Sequence, residues 1–279
     1  MRSAKFKILI ASITLLVVVG ACGGPVNGCI PRLKDLKTQY PKVIYNGPKE
    51  PFEIEIVKGR PGNWVTLGEI SKVAQMAILI SEDWAFYSHP GYDEKQIREA
   101  IEESIEKGKF KRGASTITQQ VVKNVYLSQE RSIIRKVREL WLATKIEKVL
   151  GKKRILEIYL NIAEFGEGIF GIGNASRKYF GKHPSQLNAK EGAFLAMLLP
   201  SPKKYSISYK KKSMTRYSRK IVHSILNKLV SANILTPEQR NEEWNRPLPF
   251  EITEESKPLP DPSQDDIRDE EEQDDLPSD

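Results

Sequence analysis

The chain has 279 residues, with 44 Lys and Arg against 36 Asp and Glu and two cysteines, a length that accommodates one large or two small domains around a sizeable core. Its net charge of +8 is unevenly spread: the last 29 residues hold 13 acids against Lys257 and Arg268, which leaves residues 1–250 with 42 bases against 23 acids and suits that part to an anionic partner such as nucleic acid, a phospholipid surface or a phosphorylated substrate. Cys22 and Cys29 both lie near the N-terminus, so the remainder has no thiol nucleophile and no disulfide framework, and His89, His183 and His223 lack metal-ligand spacing.

At the N-terminus, Arg2, Lys5 and Lys7 precede an uncharged stretch that runs from Ile8 to Ile30, a pattern of membrane targeting. Ile8 to Ala21 has signal-peptide length, and Val19-Gly20-Ala21-Cys22 resembles a lipoprotein processing site with Cys22 as the lipidation candidate. The 19 residues from Ile8 to Val26 also approach the roughly 20 that span a bilayer, so residues 1–29 read equally as a lipoprotein signal or as a single-span anchor with its cations on the cytoplasmic side. Both readings place the rest of the chain beyond a membrane. Residues 30–61 are rich in Pro and Gly and read as a connector, with one strand expected in PFEIEIV.

From Leu67 onward helical signals dominate. The spacing predicts a helix over Ser71 to Ile80 that delivers Glu82 at or just past its end. Asp93 with Gln96 is a capping box for a helix closed by Gly108. Apolar residues at Ile133, Val137, Leu140, Trp141 and Thr144 mark a long amphipathic helix from Ser132 to Leu150, capped by Gly151. On it Arg135, Lys136 and Glu139 share one face, a cation pair beside a carboxylate. Further helices are predicted from Lys153 to Ile162, from Asn188 (capped with Glu191) to Pro200, from Lys211 to Val230, and from Thr236 with Pro237 to Trp244. The acidic residues 250–279 read as a disordered tail. There is no internal repeat.

Two glutamates stand in informative surroundings: Glu82 inside SEDWAFYSHPG and Glu139 inside RKVRE, with GASTITQQVVKN between them. Separated carboxylates amid Lys and Arg suit deprotonation of a sugar hydroxyl while a phosphate leaves. Taken singly, Glu82 reads as a solvated carboxylate at a helix end, and Arg135, Lys136 and Glu139 as a surface ion-pair ladder worth about 0.3–0.5 kcal/mol per pair.

The ordered set EDWAFYSHPG, GASTITQQ, RKVRE, KKRILEIYLN and RKYFGKHPSQLNAKEGAFLAMLLPSPKKY resembles the five motifs of the peptidoglycan glycosyltransferase domain, glycosyltransferase family 51. Within that family the chain is most similar to the monofunctional biosynthetic transglycosylases. The similarity covers about residues 62 to 235 of a domain expected over 62–249. Ser176, where alanine is common, and Ile207, where proline often stands, are the departures, and neither is ionisable.

The resemblance implies a mainly α, lysozyme-like helical domain with a smaller mobile membrane-proximal lobe around GASTITQQ. It implies polymerisation of lipid II into glycan strands with release of undecaprenyl pyrophosphate. Glu82 matches the general base, Glu139 the second essential glutamate, and Lys123, Arg135 and Lys136 the cations that stabilise the pyrophosphate. Gln120 is carried over from the family's contact set, and Ser115, Thr116 and Gln119 offer polar groups to sugar and phosphate oxygens. Glu157 reads as structural, and Asp83 and His89 as residues that order the loop. No cofactor is required; a divalent cation, Mg or Mn, is compatible if substrate oxygens hold it, since no protein metal cage is visible. Expected partners are lipid II, the growing glycan strand, the membrane and wall-synthesis proteins of the penicillin-binding, divisome or elongasome type, without nucleic acid. The expected location is the bacterial cell membrane, anchored at the N-terminus with the domain on the extracytoplasmic side.

Three rival functions have distinct signatures. A lytic transglycosylase or other wall-glycan-cleaving enzyme also uses a glutamate in a helical fold, but the Gly-Leu-Met-Gln signature is absent, and a cationic cluster has little purpose where no phosphate leaves. A non-catalytic, membrane-tethered wall-binding scaffold would not need both glutamates with the Gln and Lys positions. A transpeptidase would need K-T-G after an S-x-x-K match; Ser104, Ser201 and Ser208 begin such matches and no K-T-G follows.

Overall fold

The computed structural model describes residues 32–95, 97–98, 115–127 and 132–251. Cys22, Cys29 and most of the acidic tail lie outside the described residues, as does the helix expected after Asp93 beyond its opening turn, where Ile97 N donates to Asp93 O. The architecture is mainly α, as expected. No helix among the described residues is long and apolar enough to cross a membrane.

The chain opens with a short 3-10 turn, Leu33–Lys37, then β1 (Tyr40–Ile44) and β2 (Glu53–Val57), an antiparallel hairpin with Tyr40 opposite Val57. The sequence pattern gave β2 but not β1, whose Pro41 and Lys42 weaken the strand signal. Leu33 and Leu36, in the stretch read as a connector, are buried in the main core. The Arg154 guanidinium ties them there: it donates to Leu36 O at 3.0 Å and Gln39 O at 2.8 Å, and lies over the rings of Tyr40 and Trp64.

Four helices frame the interior: α1 (Lys72–Glu82), α2 (Ile117–Tyr126), α3 (Ile133–Leu150) and α4 (Lys152–Ile162). Ser132 caps α3 by accepting from Arg135 N, and Gly151 forms the single-residue joint to α4. A bulged hairpin, β3 (Glu164–Gly166) with β4 (Ile169–Phe170), leads into α5 (Ile172–Phe180). Next comes α6 (Ala189–Leu198), capped reciprocally by Asn188 and Glu191 as expected.

Two one-turn helices, α7 (Pro202–Tyr205) and α8 (Ile207–Lys210), precede α9 (Arg216–Ser231) and α10 (Pro237–Asn245). The helix expected from Lys211 starts instead at Arg216. Lys212 turns left-handed, with φ 51°, and Thr215 caps by accepting from Ser218 N, so the chain breaks and restarts there.

The core forms where α1 runs against α6 and both are covered by α9, while α2 packs on α3 and α4. Every residue of α6 is buried. Gly192 sets how close α1 and α6 come: a Cβ there would stand 2.6 Å from Ala74 Cα. That approach fixes the direction of α1, whose last residue is Glu82.

Candidate active site

Glu82 ends α1, and the chain then turns through Asp83. The Asp83 carboxylate is buried and bivalent: Oδ1 lies 2.9 Å from His89 Nε2, and Oδ2 accepts from Ile117 N at 2.9 Å. One side chain thereby orders the loop after Glu82 and places a negative charge at the start of α2, where the helix dipole favours it. Gly91, at φ 98°, lets this loop lie on α3; a Cβ there would meet Ala143 O at 2.7 Å. Thr116 locks the same junction by donating to Gly91 O at 2.7 Å.

The start of α2 touches Glu82 directly and Glu139 through Lys136. From its body, Gln120 Nε2 donates to Glu82 Oε2 at 2.9 Å. The buried Tyr159 of α4 places its hydroxyl 3.4 Å from both Glu82 Oε2 and Gln120 Oε1. Just before the cap of α2, Ser115 Oγ accepts from Lys136 Nζ at 2.8 Å, and the same ammonium also donates to Glu139 Oε1. Arg135 Nη1 donates to Glu139 Oε2 at 3.0 Å. Glu139 is only 2% exposed, whereas Lys136 stays nearly half exposed, so the carboxylate anchors a cation that faces outward. Arg135 Nε is buried without a hydrogen-bond partner, leaving a donor of that guanidinium unused.

Burial pushes the Glu82 carboxyl above its ordinary value of 4.5, and the hydrogen bonds from Gln120 and Tyr159 oppose this by favouring the charged form. Burial also raises the Tyr159 phenol well above its usual range, with the neighbouring Glu82 charge adding to it, so it remains a hydroxyl donor. Both donors address Oε2, and Oε1 makes none of these contacts. The arrangement is a partly buried carboxylate with a raised proton affinity, linked through one helix start to a cation pair of which Lys136 faces outward and Arg135 is mostly buried.

The sequence-derived set divides on this geometry. Glu82 and Gln120 meet directly; Ser115, Lys136, Arg135 and Glu139 form a second contiguous group; Lys123 is exposed one turn beyond Gln120. Thr116 and Gln119 differ from expectation. Each is about 2% exposed or less and bonds the other's backbone in a capping box, so their polar groups build α2. Of the aromatic residues that follow Glu82, Trp84 and Tyr87 have rings 65% and 58% exposed, while Phe86 is buried against His89 and Lys152. Trp84 instead walls an open cleft of ≈ 310 Å³ with Ile80, Lys228 and Ser231.

Nothing in the sequence marks Tyr159 as a neighbour of Glu82, although it lies within the motif KKRILEIYLN. Glu157, four positions after Lys153, accepts from Trp64 Nε1, Leu67 N and Arg154, which fits a structural part. Glu147 accepts from Thr118 Oγ1 and Lys152 Nζ at 2.6 Å each and so binds α2 to the α3–α4 joint.

Residues 52–229 match the family model described as Transglycosylase. The chain is 47% identical over 144 residues to a protein of Shewanella denitrificans named biosynthetic peptidoglycan transglycosylase, covering 52% of this chain and 62% of that one. Proteins with the same name from Azoarcus sp. and Cronobacter sakazakii are 43% and 45% identical over 146 residues, covering 63% and 60% of their lengths. The alignments thus span somewhat under two thirds of these relatives.

Proposed function

This chain belongs to the transglycosylase family, and on that premise we propose that it is a peptidoglycan glycosyltransferase, polymerising lipid II into glycan strands. The observation that carries the reading is the Gln120 bond to Glu82 on the same helix start that bonds Lys136. A sugar hydroxyl is a weak nucleophile, and the acceptor's 4-hydroxyl loses its proton as it attacks the anomeric carbon of the growing strand. Glu82 Oε1 accepts that proton, while Gln120 and Tyr159 hold the carboxylate through Oε2.

Undecaprenyl pyrophosphate departs with developing negative charge. Lys136 and Arg135 stabilise it in the transition state, with Lys123 on the adjoining turn. Glu139 keeps the two cations in register from below. A divalent cation, if used, is held by the pyrophosphate oxygens.

We place the domain on the extracytoplasmic face of the cell membrane, tethered by residues 1–29, because the lipid-linked substrate must be met at the bilayer; the mass of the mature N-terminus distinguishes a lipidated Cys22 from a spanning segment. The activity test supplies purified full chain with labelled lipid II. Long polymer is expected from the unaltered protein, none from Glu82→Gln, and a severe loss from Glu139→Gln. Release of soluble fragments from finished wall, with no polymer from lipid II, would overturn the reading in favour of glycan cleavage.

A further inference from the structure

Between Gly192 and Pro237 the sequence contains no acidic residue. Within that stretch Lys210, Lys211, Lys212, Arg216 and Lys220 are exposed on α8, the following turn and the first turns of α9. None of these five makes an ion pair with another described residue. Concentrated like charge of this kind raises the local potential and attracts a polyanion.

The chain itself supplies one at the right place. Phe250 packs on Phe194 and Tyr209, with ring centroids 5.1 and 5.5 Å apart. Glu251 accepts from Met214 N at 3.3 Å and from Leu248 N at 2.8 Å. Met214 lies between Lys212 and Arg216, so Glu251, the last described residue, is held at the centre of the basic face. Residues 252–279 carry 12 acids against Lys257 and Arg268, concentrated from Asp265 to Asp275.

We propose that the acidic segment 252–279 docks in cis on the basic face formed by residues 210–220. A segment tethered at Glu251 needs only short excursions to reach this face, because about ten flexible residues have a root-mean-square reach of roughly 15–20 Å. Tethering gives an effective concentration on the order of millimolar, so individually weak ion pairs suffice to hold it. The docked segment shields the face from other anions, including anionic phospholipid headgroups, and salt releases it.

The test uses the full chain in neutral detergent. Zero-length carbodiimide cross-linking followed by mass spectrometry should join carboxylates of 265–275 to Lys210, Lys211, Lys212 or Lys220 within one chain, at least about fivefold more than to Lys34, Lys72 or Lys148, and 0.5 M salt should erase the excess. A full-chain variant with Asp269→Asn, Glu270→Gln, Glu271→Gln, Glu272→Gln, Asp274→Asn and Asp275→Asn should show severalfold faster tryptic cleavage after Lys210 to Lys212 at low salt, converging with the unaltered chain at high salt. Cross-links spread evenly over the body, cross-links only between chains, or equal cleavage of the two proteins would each overturn the proposal. Protection of the face only on adding anionic phospholipid vesicles, equal in both proteins, would overturn it in favour of a lipid surface. None of these readouts requires polymerase activity, so they stand apart from the functional assignment above.

Discussion

Gln120 and Glu82 are 38 residues apart in sequence and meet at 2.9 Å, amide nitrogen to carboxylate oxygen. The bond joins the end of α1 to the body of α2 and favours the ionised carboxylate against the burial that opposes it. Removing it therefore changes the proton affinity of Glu82 as well as its position.

Gln120→Ala should lower activity about 10- to 100-fold, the range set by a hydrogen bond to a charged group. Because the lost bond favours the charged form, the Glu82 carboxyl rises further, and the acidic limb of the pH–rate profile moves to higher pH. The loss is larger near pH 6 than near pH 8. Tyr159→Phe removes a longer contact of 3.4 Å and should move the limb less. Profiles of the two variants measured side by side check both statements.

Glu139→Gln leaves Arg135 and Lys136 facing each other across a neutral, buried amide. Lys136 is nearly half exposed and solvent screens it, so the stability cost is about 1–2 kcal/mol, below the figure for a fully buried pair. Activity should fall far more than stability, which thermal unfolding and lipid II polymerisation together would reveal.

Asp83→Ala strips the carboxylate from both His89 and Ile117 N. Burial of those groups sets the cost at about 2–4 kcal/mol, roughly 5–15 °C in Tm for a chain of this size. Asp83→Asn, which keeps the shape, should recover part of that loss.

Gly192→Ala places a methyl carbon 2.6 Å from Ala74 Cα, so the backbones of α1 and α6 must move apart. A loss of about 1–3 kcal/mol is expected, with reduced activity because α1 carries Glu82. Denaturant unfolding at constant m-value is the measurement.

Lys190 supplies a pH dependence. It is 1% exposed, donates to Trp244 O at 2.8 Å and Arg246 O at 2.6 Å, and burial lowers its pKa to about 8. Between about 8 and its ordinary 10.5 the native state binds fewer protons than the unfolded one, so this group's contribution to stability rises with pH over that window. Subtracting the unfolding curve of Lys190→Met from that of the unaltered chain should isolate the upward slope.

The helices around the site were legible because their ends carry local signals. Asn188 and Thr236 each announce a cap that forms, and Ser132, the first residue of the expected α3 segment, caps it. Helix α2 carries the same signal, Thr116 with Gln119, but a cap and a ligand contact use the same residue types, so the sequence alone points as readily to polar contacts for a ligand. Tyr159 was not legible as a neighbour of Glu82 because 77 residues separate them, and only packing of α4 beside α2 brings it in. The strand β1 and the buried Leu33 and Leu36 were hidden for a similar reason: Arg154, more than 100 residues on, holds that segment.

Ser115, just before the cap of α2, and Gln120, in its first turn, bond Lys136 and Glu82 respectively, the two halves of the proposed chemistry. On the proposed mechanism, any tilt of this helix start displaces the partners of the proton acceptor and of the diphosphate cradle together. A small molecule wedged beneath it would disarm both at once, and resistance by substitution at either half alone would not restore the other.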